Sequence, residues 1–171
     1  MPSQVILNGT VNYGRNLKSI VTKLLIQICS KIGGVPWTCD QLSPLVNEAP
    51  TMVCGVNVYY DSDRTGCSGV VGLVATTNKK CTRYYSAYEV LNTEWPGTVA
   101  YGIDKLMAKA IKNFTAINGA RPERIVVYRE GIQAHIENVC AQEVALLKPI
   151  CDEAKLIYVH VEQRLLTEMY A

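Results

Sequence analysis

Apolar residues recur at helical spacing near the start of the chain. From Asn16 to Gly34 they follow the i, i+3, i+4, i+7 pattern that is typical of an amphipathic helix. Gly33 and Gly34 end this pattern, because glycine past the last turn readily adopts the left-handed conformation that closes a helix. A loop from Pro36 to Pro50 follows, with three prolines and no regular period. The predicted apolar face comprises Leu17, Ile20, Val21, Leu24, Leu25, Ile28, Cys29 and Ile32.

The middle of the chain has the composition of β-strands. Three runs rich in Val, Tyr and Thr extend over Met52 to Tyr60, Ser68 to Thr77 and Thr82 to Leu91. Short polar loops, from Asp61 to Gly66 and from Asn78 to Lys80, join them. Loops of this length favour antiparallel neighbours, so the pattern predicts a three-strand meander.

Helices and strands alternate in the second half. A helical pattern begins at Val99 and ends at Asn118 and Gly119. The remaining segments are a strand from Arg124 to Tyr128, a helix from Ile136 to Leu147 and a strand from Leu156 to Val161. We therefore predict an α/β fold in which a mixed sheet, the meander plus parallel strands, is flanked by helices. This order is similar to the ribonuclease H-like fold.

Composition fits one packed domain. The chain has 171 residues, of which 49% are hydrophobic and 19% charged, which excludes a disordered chain. We expect an N-terminal segment over residues 1–15, the leading helix and loop over 16–50, and the core over 51–171. A net charge of +2 provides no overall basic field, so nucleic-acid binding would require a local patch.

Targeting and redox signals are also absent from the pattern. No apolar run is long enough for a membrane span, and the first residues lack a signal-peptide pattern, so we expect the cytoplasm or the nucleus. The seven cysteines include no CxxC pair, and we expect them to be reduced and mostly buried. His135 and His160 have no cysteine or acid at zinc spacing, so neither is predicted to be a ligand.

Three segments carry a more specific resemblance. SIVTKLLIQICSKIGG over 19–34, MVCGVNVYYD over 52–61 and RIVVYREGI over 124–132 resemble the PIWI domain of the Argonaute/Piwi family. The likeness extends from Arg15 to Tyr170. Gln27 stands where animal Argonautes usually have Lys, and this is more similar to the Piwi branch. Relative to the family, the segment after the last strand is short.

The resemblance implies a function in which a guide RNA pairs with a target RNA. Some family members cleave the target with two metal ions, which carboxylates from neighbouring strands hold. The first Asp of that set is matched by Asn57, and the second by Glu130. Glu94 is the acid nearest to the family's loop Glu, and the final His or Asp has no counterpart. The resemblance therefore implies a degenerate nuclease, with Mg²⁺ or Mn²⁺ as cofactor only if activity remains.

An alternative is a metal-dependent endoribonuclease with a shifted acid set. Asp61, Glu94 and Glu130 would then hold the metal, if their carboxylates converge. Asp61 is better explained by a solvated turn between two strands, whereas Glu130 is equally explained by pairing with Arg129, with Arg124 or with a backbone amide.

The leading helix carries the candidate RNA contacts. Lys23, Gln27 and Lys31 recur every fourth residue and form a polar stripe beside the apolar face. In the family this helix contributes to the pocket for the 5′-phosphate of the guide, so the resemblance assigns that contact to Lys31 first. A solvated helix face is the alternative.

A second basic cluster lies around the predicted hairpin. Lys79, Lys80 and Arg83 stand beside Tyr84 and Tyr85, a combination that could neutralise and stack RNA. Packing within the sheet is the other explanation for these tyrosines.

The favoured hypothesis is a Piwi-like domain of small-RNA-guided silencing, with guide and target RNA as partners and little or no cleavage. A scaffold that binds other silencing-complex proteins is a further alternative, because family members receive tryptophan-bearing peptides on this domain. The sequence places no residue of such a pocket.

Overall fold

The computed structural model describes residues 3–12, 16–39, 44–60, 69–91, 99–130, 132 and 135–161. The chain divides into two compact units, Met1–Gln41 and Leu42–Ala171. The expected boundaries at residues 15 and 50 stay predictions. Among the described helices, none is long and apolar enough to cross a membrane.

The first unit contains helix α1, Asn8–Asn12, and helix α2, Leu17–Lys31. The side-chain oxygen of Asn16 accepts a hydrogen bond from the Ser19 amide at 3.2 Å and so caps the start of α2. At the other end the Gly34 amide donates to the Cys29 carbonyl at 2.8 Å. The predicted helix is therefore confirmed. None of its residues is buried, and Leu25 on the apolar face is 61% exposed.

The second unit is built on a five-stranded sheet in the order β3-β2-β1-β4-β5. Strand β1 pairs antiparallel with β2 and parallel with β4; β2 pairs antiparallel with β3, and β4 pairs parallel with β5. This confirms the predicted meander with parallel strands. The strands are β1, Thr51–Tyr60; β2, Gly69–Thr76; β3, Tyr84–Leu91; β4, Arg124–Glu130; and β5, Lys155–Val161.

Three helices accompany the sheet: α3, Pro44–Asn47; α4, Ile103–Asn118; and α5, Ile136–Cys151. The prediction that the second long helix begins at Val99 is wrong, because Gly102 has a left-handed φ of +88° and the helix begins after it. The predicted end of α5 at Leu147 is also wrong, because the helix continues for about one more turn, through Pro149 to Cys151.

Helices α4 and α5 cover one face of the sheet. Alternate residues of the strands point into this layer and form one buried cluster with the two helices. Members from the strands are Met52, Cys54, Val56, Val71, Leu73, Ala75, Leu91, Ile125 and Val127; members from the helices include Leu106, Met107, Ala110, Phe114 and Leu147. Residues of the opposite face, such as Tyr59, Tyr88 and Tyr128, are exposed.

The expectation of mostly buried cysteines is wrong for the described residues. Cys54 and Cys151 are buried, Cys39 is exposed, and Cys29, Cys81 and Cys140 are half-buried. All six are free thiols. Of these six, only Cys54 of β1 and Cys151 of α5 belong to the core cluster.

Candidate functional site

Strands β1 and β4 bring Asn57 and Glu130 to neighbouring positions. Their parallel register pairs residues up to Val56 with Arg129, and Asn57 and Glu130 are the next residue of each strand. Val56 and Arg129 are buried on the helix-covered face, so Asn57 and Glu130 point to the opposite face. Neighbouring strands lie about 4.8 Å apart, so the amide and the carboxylate stand side by side.

The donor chemistry of this pair does not fit two divalent cations. A carboxylate can bridge two ions, whereas the Asn57 amide offers one neutral oxygen. In the part of the chain that the structure describes, no group of three His, Cys, Asp or Glu side chains could hold a metal ion. Asp61 and Glu94, the other candidate acids, lie outside the described residues. We therefore derive no metal-dependent step from this site.

A buried polar network lies at the end of β4, on the helix-covered side of the sheet. The Nε of Arg129 lies 3.1 Å from Oε2 and 3.2 Å from Oε1 of Glu143, and the two side chains are 1% and 0% exposed. The Arg129 guanidinium also donates to the backbone carbonyl of Glu130. Arg129 therefore connects helix α5 with the backbone of the candidate site.

Two more groups complete this network. The Ala100 amide donates to Oε1 of Glu143 at 2.8 Å, and the Tyr158 hydroxyl donates to Oε2 at 2.5 Å. Burial, and then the hydrogen bond to the Glu143 carboxylate, raise the pKa of the Tyr158 hydroxyl. The network thus connects the segment before α4, helix α5 and strand β5 on the side of the sheet opposite to Asn57 and Glu130.

Sequence reasoning missed this network. Glu143 stands between Val139 and Leu147 at helical spacing, which is a charged residue on an apolar face. That interruption was the available signal, because a charge on a buried face needs a buried partner. Arg129, considered as a partner for Glu130, forms an ion pair with Glu143. Arg124 lies 3.4 Å from Glu48.

The two histidines occupy different environments. His135 is exposed and precedes α5 with a left-handed φ of +53°. His160 pairs in register with Arg129, and its Nε2 is buried without a hydrogen-bond partner among the described residues. His160 therefore lies on the face opposite to Asn57 and Glu130.

The candidate phosphate contacts lie on α2 in the first unit. Lys23, Gln27 and Lys31 are exposed, as the predicted polar stripe requires. The amine of Lys31 donates to the carbonyl of Ser3 at 2.5 Å. Lys31 is in the last turn of α2, where a positive charge interacts favourably with the helix dipole.

An open cavity of about 820 Å³ lies between the ends of α4 and α5. The Arg121 guanidinium donates to the Ile150 carbonyl at 3.2 Å on one wall. The lining combines apolar with polar and charged side chains. The lining residues are Ala108, Ile111, Lys112, Thr115, Ala116, Arg121, Pro149, Ile150 and Asp152.

The chain is similar to known proteins in sequence and in fold. Residues 1–167 match the family model described as the Piwi domain. The chain is 33% identical over 178 residues to Piwi-like protein Siwi of Bombyx mori and 29% identical over 173 residues to Protein argonaute-3 of Drosophila melanogaster. These alignments cover 99% and 100% of this chain but 19% of each relative, so the chain spans about a fifth of their length.

The fold is similar to that of the crystal structure of Kluyveromyces polysporus Argonaute with a guide RNA. The TM-score is 0.72 at 16% sequence identity, covering 88% of this chain and 19% of that chain. At this identity the likeness concerns the fold.

Proposed function

Because the chain belongs to the Piwi domain family, we propose that it acts in small-RNA-guided silencing and binds the 5′-phosphorylated end of a guide RNA. The observation that carries the proposal is the exposed stripe of Lys23, Gln27 and Lys31 on α2. Partners would be the guide RNA, its target RNA and proteins of a silencing complex. We place this activity in the cytoplasm or the nucleus, which fractionation of cells that express the chain would test.

The chemistry of the stripe suits a phosphate. Each lysine offers a compact positive charge with three donors, so Lys31 can contact Ser3 and a phosphate oxygen together. The C-terminal end of a helix carries partial negative charge, so the dipole of α2 does not attract an anion to Lys31. The lysine charges must therefore supply the attraction, and Gln27 adds a neutral donor.

Binding of 5′-phosphorylated and 5′-hydroxyl forms of one RNA tests this proposal. Wild type should prefer the phosphorylated form by about tenfold, the equivalent of one charge-assisted hydrogen bond, and Lys31→Ala should lose that preference. Lys18→Ala removes a lysine from another side of α2 and should keep it. If wild type binds both RNA forms equally and Lys31→Ala does not change either affinity, the proposal fails and a scaffold role is favoured.

We also propose that the chain cleaves target RNA weakly or not at all. The support is the pairing of one amide, Asn57, with one carboxylate, Glu130, where two-metal catalysis requires several carboxylates. Incubation of a labelled target with Mg²⁺ or Mn²⁺ should leave the RNA intact. Robust cleavage that Glu130→Ala abolishes would overturn this, and loss of cleavage in Asp61→Ala and Glu94→Ala would then identify the shifted acid set.

A second candidate function is peptide binding at the cavity between α4 and α5. The observation that favours it is an open cavity lined by both apolar and charged side chains, which can receive the side chains of a peptide. Ala116→Arg would fill it with a charged side chain. We expect this variant to lose silencing-complex proteins that co-purify with wild type while RNA affinity is unchanged. Equal co-purification would exclude the cavity.

A further inference from the structure

The turn between β2 and β3 presents a fixed basic surface. The Asn78 side-chain oxygen accepts from the amides of Thr82 and Arg83 at 3.0 and 2.9 Å, and its nitrogen donates to the Thr82 hydroxyl at 2.9 Å. The Thr77 amide donates to the Arg83 carbonyl at 2.9 Å. These bonds fix a turn on which Lys79, Lys80 and Arg83 are exposed.

Two tyrosines continue from this turn along β3. Tyr84 is 63% exposed, and its hydroxyl donates to the Cys81 carbonyl at 2.8 Å, which fixes the ring beside the basic turn. Tyr88 is 71% exposed and is paired across the strands with Gly72, whose missing side chain leaves one flank of the ring open. Tyr85, considered beside Tyr84, points to the helix-covered face and packs against the core.

The two tyrosine rings are too far apart to stack on each other, so each can contact a ligand. Four strand residues correspond to about 13.6 Å, whereas stacked aromatic pairs have centroids within about 7 Å of each other. Tyr84 and Tyr88 therefore do not stack on one another. Each presents its own face on the exposed side of an edge strand.

We propose that this surface, which we call the aromatic hairpin (Lys79, Lys80, Arg83, Tyr84 and Tyr88), binds single-stranded RNA independently of the 5′ end. The positive charges complement the phosphates, and the tyrosine faces accept bases without sequence preference. This extends the proposed RNA binding, but it uses neither α2 nor the 5′-phosphate. A polyanion with stacking bases is the partner that this combination of charge and exposed aromatic surface fits.

Titration of the chain with a short 5′-hydroxyl oligouridine, followed by fluorescence anisotropy, tests the proposal. Tyr88→Leu should weaken binding by about fivefold or more, because a stacked base is lost, whereas Tyr88→Phe should bind like wild type. Lys79→Ala with Arg83→Ala should reduce the slope of log K against log salt concentration by about 1.4, or 0.7 for each phosphate. Lys105→Ala with Lys148→Ala removes the same charge from exposed positions of α4 and α5 and should change the slope little.

Equal affinity of Tyr88→Leu and Tyr88→Phe, or an unchanged salt slope, would overturn the proposal. So would sedimentation showing that wild type self-associates and that the variants lose only this association, since β3 would then pair with a second copy. Lys31→Ala with 5′-phosphorylated RNA separates the two sites. If wild type shows no preference for 5′-phosphorylated RNA but the Tyr88 effect persists, the guide-end proposal fails and the aromatic hairpin stands.

Discussion

The burial of Glu143 can be predicted from the sequence, whereas its partner cannot. Its place between Val139 and Leu147 on the apolar side of α5 indicates burial. The partner could not be found from the sequence, because Arg129 contacts it only through the packing of α5 against β4. A buried carboxylate that receives bonds from Arg129, Ala100 and Tyr158 is costly to remove singly, since the guanidinium would stay buried.

We expect Glu143→Leu to lower the free energy of unfolding by about 3 to 5 kcal/mol, measured by urea denaturation. Gln142→Ala, an exposed neighbour on the same helix, should change it by about 0.5 kcal/mol or less. The double variant Arg129→Met with Glu143→Leu should recover much of the loss, because no charge is then left without a partner. A double variant as unstable as the sum of both single ones would contradict this account.

Ionisation of Cys54 makes the free energy of unfolding depend on pH in the alkaline range. Burial, and then the neighbouring Cys151, raise the pKa of the Cys54 thiol from 9.0 to about 12. The folded chain therefore holds this proton while the unfolded chain releases it, so stability is full below pH 9.0 and falls as the pH rises toward about 12. Other groups titrate in this range, so a matched variant is needed.

Cys54→Val supplies that comparison, because it keeps an apolar side chain in β1 without an ionisable proton. Between about pH 8 and about pH 10, the free energy of unfolding of wild type should fall by about 1.4 kcal/mol more than that of the variant, under reducing conditions. Denaturation with urea at each pH measures this difference. Parallel pH profiles of the two proteins would show that Cys54 ionises in the folded chain as it does in the unfolded one.

At the scale of elements, periodicity predicted the three long helices and the five strands, whereas contacts decided where they end. It missed the short helices α1 and α3, and the prediction that Pro36–Pro50 is a loop throughout is wrong because α3 lies within it. The α4 pattern included Val99, but the left-handed Gly102, held close to Glu89, starts the helix later. Strand β4 extends to Glu130, two residues beyond the predicted apolar run, because its pairing with β5 continues there. Such ends depend on partners that are distant in sequence, so the local pattern does not contain them.

The end of α2 depends on a close approach that only glycine permits. A Cβ at Gly34 would overlap the Sγ of Cys29 and lie 3.0 Å from its carbonyl oxygen. Gly34→Ala should therefore reduce amide-exchange protection in the last turn of α2, whereas Gly9→Ala, with open space around it, should not. Cys29→Ala combined with Gly34→Ala should restore part of the protection; no restoration would show that the backbone contact alone sets the loss.

The register of β1 and β4 leads to a prediction about cations. Asn57→Asp would place a second carboxylate beside Glu130, and like charges on neighbouring strands destabilise a sheet by up to about 1 kcal/mol. We expect a lower thermal midpoint without metal and a rise on addition of Mn²⁺, because a bound ion stabilises the folded state. Wild type should show no comparable rise. A thermal midpoint of the variant that does not change with Mn²⁺ would indicate that the carboxylates at positions 57 and 130 do not converge.

For the whole molecule, the near-neutral net charge means that RNA affinity must come from separate local patches. The sequence predicted both groups of exposed basic residues, because lysines at intervals of four on a helix and basic residues at a tight turn are local patterns. It did not show that Tyr84 and Tyr88, rather than Tyr84 and Tyr85, share the exposed face, since that depends on which side α4 and α5 cover.

The two proposed RNA contacts belong to different units, Lys31 to Met1–Gln41 and the aromatic hairpin to Leu42–Ala171. Residues that share no partner usually contribute additively, so the effects on a 5′-phosphorylated RNA should add. Lys31→Ala should reduce the slope of log K against log salt concentration by about 0.7, Lys79→Ala with Arg83→Ala by about 1.4, and the triple variant by about 2.1. Anisotropy at several salt concentrations measures all three. A triple variant whose salt slope is the same as that of the double variant would mean that one RNA molecule contacts only one patch at a time. An RNA that contacted both patches would release counterions at each.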